Sequence, residues 1–155
     1  MSVAFRRESD EDHKEPRFEL PIPVGPNPVT ERGRALIDQR VRDIEAQLDG
    51  LEGEEARAPL LRDLRYWHTR QTTAEVAPVP EPGVVAIGSR VRFRIDGRER
   101  TIDIVGHDEA DPAAGRVAFQ APLAAAMIGA EDGEAVDFNG RSEAIEIVSA
   151  EPIPA

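Results

Sequence analysis

Two stretches of the chain place apolar residues at alternating steps of four and three. The first stretch has five such positions: Ile37, Val41, Ile44, Leu48 and Leu51. After a break rich in glycine and acidic residues, the second stretch repeats the same steps with four apolar residues and one glutamine: Leu60, Leu64, Trp67, Gln71 and Ala74. This spacing is typical of the seam of a coiled coil. Two helices with facing seams and a short connection predict an antiparallel helical hairpin.

The ends of this hairpin are indicated by residues that start helices. Thr30 is a good N-cap because its hydroxyl can accept a hydrogen bond from an early backbone N–H. Pro59 fits best in the first turn of the second helix, where its missing N–H costs least. Residues 49–58 are therefore expected to form the tip. Arms of about 18 residues would extend about 27 Å, and Trp67 is expected to be their largest buried anchor.

The second half of the chain alternates apolar and polar residues with a period of two, which predicts β-strands. Asp96-Gly97 is a strong two-residue turn, and it places Val91 opposite Ile102. At Asn139-Gly140 a strict two-residue loop would put the flanking apolar sets on opposite faces. We therefore expect a four-residue loop over 139–142, or a bulge, so that Val136 lies opposite Ile145.

One short helix and an acidic turn lie between these strands. The acidic turn covers residues 107–115, and a strand follows over 116–120. Pro122 can start the helix and Gly129 can end it. The expected fold class is α+β, with an N-terminal antiparallel α-helical coiled-coil hairpin. A small C-terminal antiparallel β-sheet carries the one short helix on one face.

Proline-rich segments indicate the boundaries between these parts. Residues 1–28 are expected to be an extended or disordered tail. Alternatively they contain a docking strand with Phe18, Leu20 and Ile22 as alternating anchors. The hairpin is expected over 29–76, a stiff linker over 77–83, the C-terminal domain over 84–150 and a short tail over 151–155.

The composition excludes several classes of protein. The 155-residue chain has no cysteine, so disulfides and thiolate metal sites are absent. No stretch reads as a signal peptide or a membrane span, and the cytoplasm is the default location. A net charge of −11 argues against a large direct contact with nucleic-acid phosphates. Binding to a protein that itself holds nucleic acid stays open.

Residues that would carry catalysis are few, and we expect no enzyme activity of the chain's own. The three histidines are His13, His68 and His107. His107 lies in the acidic turn, but no second histidine sits at ligand spacing, so no metal site of its own is expected. No phosphate-binding loop, dinucleotide fingerprint or nucleophile elbow is present.

The stretch over 106–134 resembles the C-terminal domain of the GreA/GreB transcription elongation factors. The residues that carry the resemblance form one ordered motif: Gly106, Asp108, Glu109, Ala110, Asp111, Gly115, Arg116, Val117, Pro122, Leu123, Ala124, Ala126, Met127, Ile128, Gly129 and Gly133. The family's serine before the proline is Ala121 here. The hairpin is similar as well, in two groups of residues: Val29, Thr30 and Gly33 at its start, and Tyr66, His68, Arg70 and Gln71 in its second helix. The resemblance covers roughly residues 28–150 and implies an FKBP-like C-terminal domain.

The resemblance also implies a function in bacterial transcription. In the family, the C-terminal domain binds the rim of the secondary channel of core RNA polymerase, and the hairpin enters the channel. The residues matching the family's binding segment are Asp108, Glu109, Asp111, Pro122, Leu123, Met127 and Ile128. Acidic residues at the family's tip help to hold a second Mg²⁺ at the polymerase active site, the one cofactor implied. The candidates at this tip are Asp49, Glu52, Glu54 and Glu55, although a solvated loop before a helix is often acidic too.

The tip departs from the family pattern, and several readings stay open. The family motif is D-L-x-E-N-A-E-Y, whereas this chain has Asp63-Leu64 followed by Arg65 and Tyr66. One reading is therefore a Gre-type cleavage factor, and another is a Rnk-like or anti-Gre factor that binds polymerase without stimulating cleavage. The others are a coiled-coil module unrelated to polymerase and a vestigial prolyl isomerase, whose aromatic pocket this domain lacks. The hairpin closes its seam within one chain, so we expect a monomer with two independent bodies. We expect no direct sequence-specific nucleic-acid contact and no membrane contact.

Overall fold

The structure, a computed structural model, describes residues 19–155. Its helices and strands in chain order are β1 Asn27–Val29, α1 Glu31–Asp49, α2 Glu54–Thr73, β2 Ala74–Val76, β3 Ser89–Ile95, β4 Arg98–Val105, β5 Arg116–Ala118, α3 Pro122–Met127, β6 Ala135–Phe138 and β7 Arg141–Pro152. Two single-turn 3₁₀ helices, His107–Glu109 and Pro112–Ala114, separate β4 from β5. The expected combination of a helical hairpin with a β domain is confirmed. In the described part of the chain, no helix combines the length and apolar character needed to cross a membrane.

The hairpin seam is buried on its first arm and only half-buried on its second. On α1, four of the predicted positions are buried: Ile37, Val41, Ile44 and Leu48. Leu51 lies in the loop and is 36% exposed, so it does not belong to the seam. Trp67 is half-buried rather than a buried anchor. The guanidinium of Arg40 lies 5.7 Å from the Trp67 ring centroid, and Tyr66 meets that ring edge-on.

The tip is shorter than the sequence suggested. Helix α2 begins at Glu54, which leaves residues 50–53 as the loop, and Pro59 lies inside the helix instead of at its start. Gly53, with φ 93°, turns the chain into α2. The N–H that Pro59 lacks would have bonded the carbonyl of Glu55, an exposed residue whose carbonyl water can satisfy. One lost bond near an exposed helix end is therefore tolerated.

A two-stranded parallel sheet closes the base of the hairpin. Strand β1 pairs with β2 from Asn27↔Ala74 to Val29↔Val76. The Asn27 side chain donates to the backbone carbonyl of Arg70, and the N–H of Ala77 donates to the Val29 carbonyl. The last residues of the expected tail thus belong to the hairpin base. Of the proposed tail anchors, Phe18 lies outside the described residues, and Leu20 and Ile22 are 38% and 42% exposed.

The C-terminal domain is a five-stranded sheet in the order β5-β4-β3-β7-β6. The predicted pairs Val91↔Ile102 and Val136↔Ile145 are both present. At the second turn Phe138 pairs with Arg141, so the loop has two residues and not four. A bulge between Val136 and Phe138 then brings Val136 opposite Ile145, which is the expected alternative to a longer loop. One pair differs from the antiparallel expectation, since β5 runs parallel to β4. The two 3₁₀ turns carry the chain back along the sheet edge, so β5 starts beside Asp103.

The core of the domain lies between the sheet and α3. It consists of aliphatic residues with one buried aromatic ring: Val85, Val91, Phe93, Ile102, Ile104, Ala124, Met127, Ala130, Ile145, Ile147 and Ala150. Helix α3 contributes Ala124 and Met127, both fully buried, and Gly129 follows it with φ 93°. Strand β7 extends to Pro152, and the N–H of Ile153 donates to the Gly88 carbonyl. The last strand therefore runs slightly beyond the expected end of the domain.

Candidate functional site

A buried ion pair joins the hairpin to the C-terminal domain. Nε of Arg70, on α2, lies 2.6 Å from Oδ2 of Asp108, and the two side chains are 3% and 4% exposed. Nη2 of Arg70 also donates to Oδ1 of Asn27 at 2.7 Å. The hydroxyl of Tyr66 donates to the other oxygen of Asp108. Burial first, and then the hydrogen bond to this carboxylate, raise the pKa of Tyr66.

A second acidic side chain of the same turn contacts the start of α1. Glu109 is 4% exposed, and its carboxylate accepts hydrogen bonds from Thr30 Oγ1 and from Arg32 Nη1, the latter at 3.1 Å. The Thr30 hydroxyl also accepts the N–H of Gly33 at 3.0 Å, which is the expected N-cap bond. One threonine therefore caps the hairpin and ties it to the domain.

Two glycines allow the backbone and side chains of this junction to approach closely. A Cβ on Gly33 would lie 2.9 Å from the Glu109 carboxylate. A Cβ on Gly106 would lie 2.6 Å from the carbonyl oxygen of Pro28 in β1. At Gly106 the neighbouring atom belongs to the backbone, so glycine is required there. At Gly33 it is the end of the Glu109 side chain, which would have to shift to accept a larger residue. The hairpin residues and the acidic-turn residues that carried the family resemblance are therefore in direct contact at this junction.

This geometry changes the interpretation of the acidic turn. Asp108 and Glu109 were expected at the polymerase-binding surface, but their side chains are buried against the hairpin. The expectation of two independent bodies is wrong for the same reason, because a buried ion pair and a shared N-cap connect them. Sequence reasoning missed the role of Arg70, although Tyr66 and Arg70 are four residues apart and so share one face of α2.

The other expected binding residues divide by exposure. Met127 is fully buried in the core and cannot contact a partner without rearrangement. Pro122 and Asp111 are exposed, Leu123 is half-buried and Ile128 is 39% exposed. At Ala121, where the family has serine, α3 has no side-chain cap. We refer to Asp111, Pro122, Leu123 and Ile128 as the accessible set.

The tip presents four exposed carboxylates that the structure does not gather into a metal site. Asp49 ends α1, Glu52 lies in the loop, and Glu54 and Glu55 occupy the first turn of α2. Across residues 19–155, no three His, Cys, Asp or Glu side chains are placed to hold a metal ion. The tip alone therefore does not fit Mg²⁺, and a shared ion would depend on ligands from a partner.

An arginine that sequence reasoning overlooked organises this tip. Nη1 of Arg57 donates to the carbonyl of Leu48 at 2.6 Å and to that of Leu51 at 3.1 Å. The last carbonyls of a helix lack partners within the helix, so this guanidinium satisfies the end of α1. Asp63, the residue that matches the start of the family's tip motif, lies nine residues after Glu54 in α2, about 14 Å along the helix.

Comparison with known proteins places the chain in a family. Residues 80–152 match the family model described as "Transcription elongation factor, GreA/GreB, C-term". The chain is also 38% identical to transcription elongation factor GreB of Neisseria meningitidis serogroup B over 113 residues, 68% of each chain. The chain belongs to the GreA/GreB family. This relationship indicates a bacterial-type transcription elongation factor. It argues against the hypothesis of an unrelated coiled-coil module.

Other GreA/GreB relatives show how much of the length is shared. Transcription elongation factor GreA of Thermomicrobium roseum is 45% identical over 103 residues, which are 66% of this chain and 53% of that protein. Among solved structures, a GreA/GreB factor from Nitrosomonas europaea aligns over 83% of this chain and 99% of its own, with 20% identity and a TM-score of 0.40. That score is low, so the family assignment rests on the sequence relatives.

Proposed function

We propose that the chain binds RNA polymerase at the rim of the secondary channel and places its hairpin in the channel without stimulating RNA cleavage. Membership of the GreA/GreB family supports the choice of partner. The accessible set supports the C-terminal domain as the binding element, because it combines exposed apolar groups with one carboxylate. Exposed apolar side chains of this kind form the centre of many protein interfaces.

The buried junction supports hairpin insertion as part of this function. Arg70, Asp108 and Asn27 form a connected set of hydrogen bonds between α2, β1 and the acidic turn. A hairpin held in this way has a fixed direction relative to the domain. A domain bound at the channel rim would therefore orient the hairpin as well. The hairpin would not have to be ordered in a separate step, which lowers the entropy cost of binding.

The arrangement of the tip supports the proposal that the chain does not stimulate RNA cleavage. The only acidic residue within the 50–53 loop is Glu52, and the match to the family's tip aspartate lies about 14 Å back along α2. Arms of 19 and 20 residues extend about 30 Å at the helical rise. A tip that supplies no ligand to the catalytic metal acts only through screened charge, which decays over about 8 Å at physiological salt. We therefore expect channel occupancy with little effect on RNA cleavage.

The test of binding uses the whole chain and two matched surface substitutions. Ile128→Glu places a charge in the accessible set, where the side chain is 39% exposed. Val79→Glu places the same charge in the linker, where the side chain is 77% exposed. We expect pull-down of core RNA polymerase by the unmodified chain and by Val79→Glu, and its loss with Ile128→Glu. Equal retention by both variants, or no pull-down by the unmodified chain, would contradict the proposal.

A further inference from the structure

Half of strand β4 has an open edge. Strand β5 pairs only with Asp103–Val105 of β4, because it is three residues long. Throughout the described range, 19–155, no strand pairs with the remaining residues 98–102 on the side away from β3. An unpaired edge of this length is a site at which another extended chain can add as a strand.

The backbone groups at this edge can be identified from the pairing. The N–H of Asp103 points away from β3, since it donates to the carbonyl of Gly115 at 2.8 Å. Backbone groups alternate in direction along an antiparallel strand. Thr101 and Glu99 therefore also direct their N–H and C=O groups outward. Both residues are exposed overall, and the open edge ends at Thr101, whose carbonyl oxygen lies 4.0 Å from the position of a Cβ on Gly115.

Two arginines beside this edge have no carboxylate partner within the described residues. Phe93 pairs with Arg100 and Ile95 pairs with Arg98, so both arginines lie on the core-facing side of the sheet. Both are exposed, and the Arg100 guanidinium lies 5.8 Å from the Phe93 ring centroid. In the described part of the chain, neither makes an ion pair or a side-chain hydrogen bond. The other arginines of this β-hairpin do: Arg90 with Asp103, Arg92 with Glu99, and Arg94 with Glu99 and Glu146.

We propose that this edge binds an extended acidic segment of a partner protein by strand addition. The backbone of the segment pairs with Glu99 and Thr101, and carboxylates on alternate residues reach Arg98 and Arg100. Side chains on directly opposed residues of paired strands lie about 5 Å apart, which brings a carboxylate within reach of each guanidinium. Arginine binds carboxylates through two parallel hydrogen bonds, which favours this pairing.

The charges also determine which partners are rejected. An apolar strand added at this edge would leave two guanidinium groups without counter-charges, which selects against it. A nucleic-acid backbone is disfavoured because it lacks the alternating N–H and C=O groups with which an edge strand pairs. An acidic polypeptide strand satisfies both the backbone groups and the arginines. This interaction does not depend on polymerase binding.

The test uses the full chain and a labelled short peptide of alternating glutamate and threonine. We expect the peptide to bind, and a peptide with glutamine in place of glutamate to bind far more weakly. On saturation with the glutamate peptide, the Glu99 and Thr101 amides should become protected from hydrogen exchange. Binding without that protection would show that the peptide contacts the arginines but adds no strand, and it would overturn the proposal.

Paired variants separate the arginines from general charge. Arg98→Gln combined with Arg100→Gln should weaken peptide binding about tenfold, because each exposed pair contributes a modest energy. Arg34→Gln combined with Arg42→Gln removes the same charge from α1 and should leave binding unchanged. Three results would overturn the proposal: absence of peptide binding, tighter binding of oligouridine through Arg98 and Arg100, and self-association of the chain through this edge in sedimentation.

Discussion

Arg70 joins the second helix of the hairpin to both β1 and the C-terminal domain. Its guanidinium is buried, and it bonds Asp108 in the C-terminal domain and Asn27 in β1. Removing two charges from water is costly, so a buried ion pair adds little stability over a well-packed apolar pair. Loss of one partner is different, because it leaves the other charge buried without compensation. The pair therefore makes the junction specific and sensitive to mutation.

We expect Asp108→Asn to destabilise the protein by about 3–5 kcal/mol, the usual cost of leaving one member of a buried pair uncompensated. The substitution keeps the shape of the side chain and removes its charge. The measurement is chemical denaturation followed by fluorescence of Trp67, the only tryptophan in the chain, which contacts Tyr66 beside the junction.

A matched control comes from an exposed ion pair of the same domain. Glu146 pairs with Arg94, and the two side chains are 54% and 53% exposed. Glu146→Gln should cost about 1 kcal/mol or less, since exposed pairs contribute little. Similar losses for the two variants would contradict a buried junction in solution.

At the scale of elements, the hairpin tip is held by one side-chain cap in addition to backbone hydrogen bonds. The α1 helix ends at Asp49, and the guanidinium of Arg57 adds a hydrogen bond to the Leu48 carbonyl, which also accepts the N–H of Leu51. Glu54 and Glu55 favour the start of α2 because negative charge is stabilised at a helix N-terminus. The end of α1 and the start of α2 therefore fix the positions of Asp49, Glu54 and Glu55.

Arg57→Ala should loosen the tip while leaving the rest of the hairpin intact. We expect faster hydrogen exchange of the Gly50 and Leu51 amides, which bond the carbonyls of Gln47 and Leu48 at the end of α1. The loss of local stability should be about 1 kcal/mol, because these hydrogen bonds are partly exposed. Arg42→Ala, which removes an exposed contact to Gln39, is the control. Unchanged exchange at Gly50 and Leu51 would show that the cap does not hold the loop.

The elements that repeat a local pattern could be predicted from the sequence. The α1 seam follows from heptad spacing, and the pair Val91↔Ile102 follows from a two-residue turn whose residues Asp96 and Gly97 both have positive φ. The bulge after Asn139-Gly140 follows from the requirement that Val136 and Ile145 share a face. In each of these cases the residues that determine the structure lie close together in the sequence.

Features that depend on distant contacts could not be predicted in this way. The β1–β2 pair is three residues long and joins positions 47 apart, with no periodicity to detect. The partner of Arg70 lies 38 residues away, beyond any helical or strand spacing. The start of α2 was misplaced because Pro59 usually marks a first turn, whereas here Gly53 and two glutamates set the start earlier. The burial of the Asp108 and Glu109 side chains could not be predicted either, because their partners Arg70 and Arg32 lie 38 and 77 residues away.

At the scale of the whole molecule, the hairpin, the buried junction and the domain form one continuous structure. The junction uses the acidic side chains that the resemblance had assigned to polymerase, and the accessible set remains for binding. The tip lies at the opposite end of the hairpin from this junction, with its carboxylates distributed over two helix ends and a loop. A protein built in this way can occupy a channel without delivering a metal site to its end.

The most direct test of this central claim is one titration in a backtracked transcription elongation complex. The rate of RNA cleavage is measured with a fixed amount of a GreB factor and increasing amounts of this chain. We expect the rate to fall to that of the complex without GreB, because a chain that occupies the channel as proposed would exclude GreB without replacing its cleavage function. The Ile128→Glu variant should leave the GreB-stimulated rate unchanged. The claim is contradicted if the unmodified chain has no effect on that rate, or if the chain alone accelerates cleavage and loses this effect when Asp49, Glu52, Glu54 and Glu55 are all changed to alanine.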